Sequence, residues 1–162
     1  MNAPSSKTTR VLMVCLGNLC RSPTAEAMLR KKVHEAGLDD RIEVDSAGTA
    51  DYHVGSPPDR RAIAHGERRG LAMAQLRGRQ VSRDDFDRFD VILAMDDDNL
   101  AGLQRIRPAD SRAQVALLMS YAPQAGSREV PDPYYGGAEG FETVLDLVES
   151  AVDGLIASVV SI

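Results

Sequence analysis

Val11-Leu12-Met13-Val14-Cys15-Leu16-Gly17-Asn18-Leu19-Cys20-Arg21-Ser22-Pro23 is the stretch whose reading decides the fold. An unbroken apolar run meets a cysteine, then a Gly-Asn bend, then an arginine and Ser-Pro. Continuous apolar character marks a strand buried on both faces, as in a parallel sheet, so Arg10–Cys15 is read as a strand. Ser22 suits the N-cap of a helix and Pro23 its first position. Ala25, Met28, Leu29, Val33 and Ala36 follow at helical spacing, and Gly37 stops the helix. A thiol, a bend, a guanidinium and a helix N-terminus thus share one short loop.

That combination suits phosphate chemistry. A thiol is mostly protonated near neutral pH, and the thiolate is the nucleophile. Arg21 supplies a fixed positive charge and the helix start a partial one, and both favour a thiolate at Cys15. Both also attract a phosphate dianion, and the planar fork of Arg21 can clamp two of its oxygens. The N–H groups of Leu16, Gly17, Asn18, Leu19 and Cys20 can form an anion-binding nest. Gly17 is expected to allow close approach and a backbone conformation barred to other residues. Asn18 is expected to hold the loop's shape. The Ser22 hydroxyl can cap the helix or bond to the Cys15 sulfur. A lone Cys-x5-Arg arises by chance in many proteins, and a strand-end cysteine is often inert core. The compound strand–Cys–Gly-Asn–Arg-Ser-Pro–helix pattern is far more specific.

Outward from the loop, Ile42–Asp45 reads as a second strand ending in the turn Ser46–Thr49. Residues Tyr52–Pro58 read as a loop, with Asp59 capping a basic helix that ends near Gly70. Val91–Met95 and Val115–Met119 are further strands, and Asp96, Asp97 and Asp98 open the helix between them. Ser120–Gly140 reads as a loop rich in proline and glycine. Phe141, Val144, Leu145, Val148, Val152 and Leu155 mark an amphipathic final helix. Strands alternating with helices predict a three-layer α/β domain, with a four-stranded parallel sheet and helices on both faces. In such sheets ligands bind beyond the carboxyl ends of the strands, where Cys15, Ser46, Asp96 and the Ser120–Gly140 loop lie.

A chain of 162 residues fits one domain, read as 1–162 with residues 1–8 a flexible tail. The balance of 43% hydrophobic and 27% charged residues is that of an ordinary soluble protein. A net charge of −5 argues against sequence-independent nucleic-acid binding. Neither a signal peptide nor a membrane span is read, and cytoplasmic location is the expectation. Two cysteines make no disulfide framework, and both lie in the loop. No histidine spacing suggests a metal, and His34, His53 and His65 read as surface or loop residues.

A thiolate displacing a phosphate ester needs an acid for the leaving oxygen, then a base for water. Asp132, in Asp132-Pro133-Tyr134-Tyr135, is the candidate for both, although Asp-Pro is also a common turn signal.

The chain resembles the low-molecular-weight protein tyrosine phosphatases over nearly its whole length. Val14–Pro23 is similar to the family's signature loop. Ser46–Thr49, His53-Val54-Gly55 with Pro58-Asp59-Arg60, Met95-Asp96 with Asn99-Leu100, Asp132–Gly136 and Phe141-Glu142 match further family segments in order. The resemblance implies that Cys15 is the nucleophile carrying a cysteinyl-phosphate, that Arg21 binds phosphate and stabilises the transition state, and that Asp132 is general acid, then base. It implies that Asn18, Ser22 and Ser46 form a network holding the loop. Leu16, Tyr52, Tyr134 and Tyr135 would line a pocket deep enough to exclude phosphoserine. It also implies that Cys15 and Cys20 can form a protective disulfide. No metal or organic cofactor is implied. The partner implied is a tyrosine-phosphorylated protein, with a bacterial tyrosine kinase as the family analogy, and a monomer or weak dimer is expected.

One departure stands out. Many relatives carry a histidine shortly before an Ala-Arg-Gln segment, where this chain has Leu76-Arg77-Gly78-Arg79-Gln80. Support of the loop is therefore expected to be weaker or differently arranged. Three rivals share part of the pattern. An arsenate reductase needs further cysteines away from the loop. An arginine-phosphate phosphatase carries threonine where this chain has Leu19. A non-catalytic phosphate-binding module would not need Cys15, Arg21 and Asp132 together.

Overall fold

Strand β1 (Thr9–Cys15) sorts its side chains by parity, and that sorting builds the molecule. Val11, Met13 and Cys15 enter one apolar cluster, while Leu12 and Val14 enter the other. The computed structural model describes residues 7–134 and 136–161. The remaining elements are α1 (Arg21–Glu35), β2 (Ile42–Gly48), α2 (Arg60–Arg68), α3 (Asp85–Arg88), β3 (Val91–Ala94), α4 (Asp97–Ile106), β4 (Gln114–Leu117) and α5 (Ala138–Val160).

The sheet is four-stranded and wholly parallel, in the order β2-β1-β3-β4. Val11 pairs with Val44 on one side and with Val91 on the other. The chain thus winds from β1 outward to β2, then returns past β1 to β3. That reversal leaves a crevice beyond the end of β1, the topological switch point where ligands bind. Helices α1 and α5 cover one face, where Met28, Leu29, Val144 and Val148 pack with Met13. Phe86 of α3 and Leu103 of α4 cover the other, packing with Leu12 and Ile92. The three-layer expectation matches this arrangement.

Four local expectations are corrected. Ser22 is not the N-cap, since α1 begins at Arg21 with Cys20 at the cap, and Pro23 sits third. The shift costs the helix little, because proline lacks one of the first-turn donors that have no helical partner in any case. Strand β2 does not turn at Ser46 but continues to Gly48, pairing through Cys15, and Gly48 also bridges to Gln80. Strand β4 ends at Leu117, and Leu118–Tyr121 and Pro123–Ala125 form short 3-10 turns inside the expected strand end and loop. Helix α5 starts at Ala138, before Phe141. By contrast, Asp59 caps α2 as expected, its carboxylate accepting from Arg61 N–H at 2.8 Å. Most of the expected tail, residues 1–6, lies outside the described residues, while the Thr8 hydroxyl donates to the Asp40 carbonyl at 2.9 Å.

Candidate active site

The loop from Cys15 to Arg21 closes around the end of β1. Its left-handed residue is Asn18, with φ +57°, rather than Gly17. Asparagine tolerates that region better than most residues. Gly17 instead leaves room beside His53, since a Cβ there would lie 3.1 Å from that ring, a tight contact. Gly48 gives similar clearance from β2, where a Cβ would come within 2.7 Å of the Leu16 carbonyl oxygen.

The network beneath the loop can be followed donor by donor. The Asn18 amide donates to Ser22 Oγ at 2.8 Å and to Ser46 Oγ at 3.0 Å, using both its hydrogens. Its oxygen accepts the Arg79 backbone N–H at 3.0 Å. Ser22 Oγ therefore has one proton to give, with Cys15 Sγ at 3.0 Å and the Ala47 carbonyl at 3.4 Å. The sulfur is the nearer of the two and accepts from Ser22 when Cys15 is a thiolate. The Ser46 hydroxyl donates its own hydrogen bond to Glu26 Oε1 at 2.6 Å.

Glu26 ends this chain of donors and is a residue that sequence reasoning missed. Its side chain is only 5% exposed and pairs with Arg30 at 2.6 Å. Burial pushes its carboxyl above the ordinary value, against the pull of the Ser46 hydrogen bond and the Arg30 charge. Leu76, where the resemblance would place the family histidine, is half-buried against the core cluster of α1 and α5. Support of the loop thus runs through Glu26–Arg30 and through Arg79. Arg79 is itself held by Asp45 and by both oxygens of the buried Asp85.

Arg21 is 4% exposed at its side chain. Its Nη1 donates to Asp96 Oδ2 at 2.5 Å and to the Val130 carbonyl at 3.0 Å, and its Nη2 lies 3.7 Å from Asp132 Oδ2. Burial opposes its charge, but the Asp96 hydrogen bond and the charges of Cys15, Asp96 and Asp132 outweigh it and hold the guanidinium above its ordinary value. Asp96 serves two ends at once, since its Oδ1 also caps α4 by accepting from Asn99 N–H.

Cys15, Leu16, Gly17, Leu19, Cys20, Arg21, Tyr52, His53, Asp132 and Tyr134 line one cavity of about 210 Å³. Asn18, Ser22 and Ser46 lie behind its wall in the network just described, and Tyr135 lies outside the described residues. Tyr52 is 70% exposed and stands edge-on to His53. His53 was read as a loop residue and is also a wall of the cavity; the missed signal was Gly17, whose small size makes space for the ring. His65 is no surface residue: it is buried, stacked on Phe141 and bonded to Glu142. Cys15 and Cys20 are both free thiols. Burial, with the charges of Asp59, Cys15 and Asp132 adding to it, pushes the Cys20 thiol well above the ordinary range, so Cys20 stays protonated. Among the described residues, no helix is long and apolar enough to cross a membrane.

A thiol loop at the switch point of a doubly wound sheet, with a buried guanidinium and a facing carboxylate, is the arrangement of a small cysteine-dependent phosphatase. The family model described as low molecular weight phosphotyrosine protein phosphatase matches residues 10–161, and the chain belongs to this family of protein-tyrosine-phosphatases. A low molecular weight protein-tyrosine-phosphatase of Streptomyces coelicolor is 44% identical over 155 residues, spanning 94% of each chain. A crystal structure of a protein tyrosine phosphatase from Entamoeba histolytica superposes with a TM-score of 0.91 at 38% identity, covering 95% of this chain and 98% of that one. A Drosophila arginine phosphatase superposes with a TM-score of 0.86 at 34% identity, covering 91% and 96%.

Proposed function

We propose that Cys15 attacks the phosphorus of a phosphotyrosine side chain in a tyrosine-phosphorylated protein. The S–P bond forms as the P–O bond to the tyrosyl oxygen breaks, and Asp132 gives its proton to that oxygen. In the second step Asp132, now a carboxylate, takes a proton from water as the water attacks phosphorus. The S–P bond then breaks, and its electron pair returns to the Cys15 sulfur. The Ser22 hydroxyl steadies that charge with the one proton it has to give. Arg21, anchored through Nη1, keeps its other edge to clamp the phosphoryl oxygens through both steps.

The observation that carries this reading is the convergence of Cys15, Arg21 and Asp132 on a single cavity, with Ser22 Oγ 3.0 Å from the sulfur. Leu16, Tyr52 and Tyr134 give that cavity an apolar, aromatic wall. A phenyl ring fills such a wall and carries its phosphate down to Cys15, whereas the shorter phosphoserine falls short of it. Cys15→Ser is expected to abolish turnover of phosphotyrosine while retaining binding of a phosphate analogue. Substantial residual turnover in that variant would overturn the nucleophile assignment.

The likeness to an arginine phosphatase makes phosphoarginine the second substrate to measure. Leu19 lines the cavity as an apolar side chain and favours the aryl ester, so turnover of phosphotyrosine is expected to exceed that of phosphoarginine. An arsenate reductase lacks support, because both cysteines of the chain belong to this one loop.

Cys20 has a redox role in the same reading. Once peroxide converts Cys15 to a sulfenic acid, the Cys20 thiol condenses with it, forming a disulfide and releasing water. A thiol reductant then restores both. Wild type is expected to recover after peroxide and thiol treatment while Cys20→Ser does not, and equal recovery of the two would remove this role. Two free thiols in the site also fit a reducing, cytoplasmic compartment.

A further inference from the structure

The segment carrying Asp132 is gripped from a helix remote from it in sequence. Asp132 Oδ1 accepts the Tyr134 N–H at 3.0 Å, folding the acid segment on itself. The carbonyl of the same Tyr134 accepts from Arg61 Nη2 at 2.8 Å. The Arg61 guanidinium lies over the Tyr134 ring at 5.4 Å and over Phe141, at the start of α5, at 4.9 Å. Arg61 is oriented in turn by Asp59, which takes Nε at 3.1 Å on one oxygen and Nη2 at 3.0 Å on the other. Asp59 closes the circuit: its backbone N–H donates to the Leu19 carbonyl of the phosphate loop at 2.9 Å.

We infer that Arg61 is a positioning residue for proton transfer, setting Asp132 over the scissile oxygen by tying the acid segment to the phosphate loop through Asp59. The inference rests on the reading of Asp132 as general acid. Several features suit the task. The Asp59–Arg61 contact is a two-point fork, so the guanidinium plane is fixed and not merely attracted. The flat cation also stacks on Tyr134 of the acid segment and on Phe141 of α5, which holds it in place from two sides. Arg61 touches neither Cys15 nor the cavity itself, and its direct bond to the acid segment is the one to the Tyr134 carbonyl, next to the N–H that Asp132 holds. A misplacement of about 1 Å can cost a proton transfer about a hundredfold.

Leaving-group dependence separates this role from a merely structural one. An ester with an acidic leaving group, such as p-nitrophenyl phosphate, needs little protonation, whereas phenyl phosphate and phosphotyrosine need it fully. The ratio kcat/KM would be measured across such an aryl phosphate series for wild type, Asp132→Asn and Arg61→Ala. Asp132→Asn is expected to lose activity more steeply as the leaving group becomes more basic. Arg61→Ala is expected to follow it in milder form, losing about threefold on p-nitrophenyl phosphate and about thirtyfold on phenyl phosphate. A uniform loss across the series, or none, with Asp132→Asn steep, would overturn the role of Arg61 alone. A flat series for Asp132→Asn would overturn the acid assignment itself, and the role of Arg61 with it.

Discussion

At the residue scale, Glu26 shows how one buried charge sets a pH response. The wall of the site passes from Asn18 to Ser46 to Glu26, and the last member is a carboxylate in a nearly dry place. Because burial raises its folded-state pKa above the unfolded value, the fold holds that proton more tightly than the unfolded chain does. The stability this contributes is present in full below the unfolded value, about 4.5. It is lost as pH rises through the folded value. Glu26→Gln removes the titration and keeps an amide oxygen for the Ser46 hydroxyl. The stability of Glu26→Gln relative to wild type is therefore expected to rise with pH from about 4.5 upward and then level off, as read from urea midpoints. A difference that stays constant with pH would rule this out. The residue was invisible in the sequence because a glutamate on the first turns of a helix reads as solvated. Only the fold turns that position toward Ser46. That Cys15 and Arg21 share one site was legible, since their spacing belongs to the loop itself, whereas Asp132, far along the chain, was singled out chiefly by the family resemblance and joins them only in the folded cavity. The left-handed backbone at Asn18 was not, because glycine beside it was the more obvious candidate.

At the element scale, the packing of α5 makes a prediction that helix propensity alone gets backwards. Gly154 lies inside α5, where replacing glycine by alanine in an exposed helix gains about 1 kcal/mol. Here a Cβ would run into the Tyr121 carbonyl oxygen of the 3-10 turn that follows β4. Backbone cannot swing aside as a side chain does, so the helix or the turn must move. Gly154→Ala is expected to destabilise by about 1–3 kcal/mol net, as overpacking does, measured by denaturant unfolding. A gain in stability would show that the turn yields freely. The same comparison explains which elements the sequence disclosed. β1, β3, α1 and α5 carry long apolar runs or a full amphipathic period, and these were legible to within a few residues. The four-residue α3 spans barely one turn and has too little period to read. The ends of β2 and β4 slipped because small or mixed residues, Ser46-Ala47-Gly48 and Leu118-Met119, are compatible with either strand or turn. Tertiary pairing decided them.

At the scale of the whole molecule, the net negative charge opposes the approach of an anionic substrate. The chain carries −5, while the buried arginine of its site is already paired with Asp96. Asp132 is exposed, and Asp98 and Arg105 both line the neighbouring cleft that shares Leu16, Arg21 and Asp132 with the first cavity. In the proposed mechanism the phosphate is drawn in at short range by Arg21 and the loop N–H groups, where salt screens little. Residues flanking the phosphotyrosine stay in water and sense the long-range field of the whole chain, which salt does screen. The screening length falls from about 30 Å at 0.01 M salt to about 8 Å at 0.15 M. Two phosphotyrosine peptides, one flanked by glutamates and one by lysines, separate the two contributions because they share the same reacting group. At low salt the lysine-flanked peptide is expected to have the larger kcat/KM, by several-fold. Raising salt from about 0.01 to 0.15 M is expected to bring that ratio toward one, chiefly by speeding the acidic peptide. A ratio that does not change with salt would mean that selection among peptides is made wholly by contacts at the cavity mouth, with no contribution from the charge of the molecule.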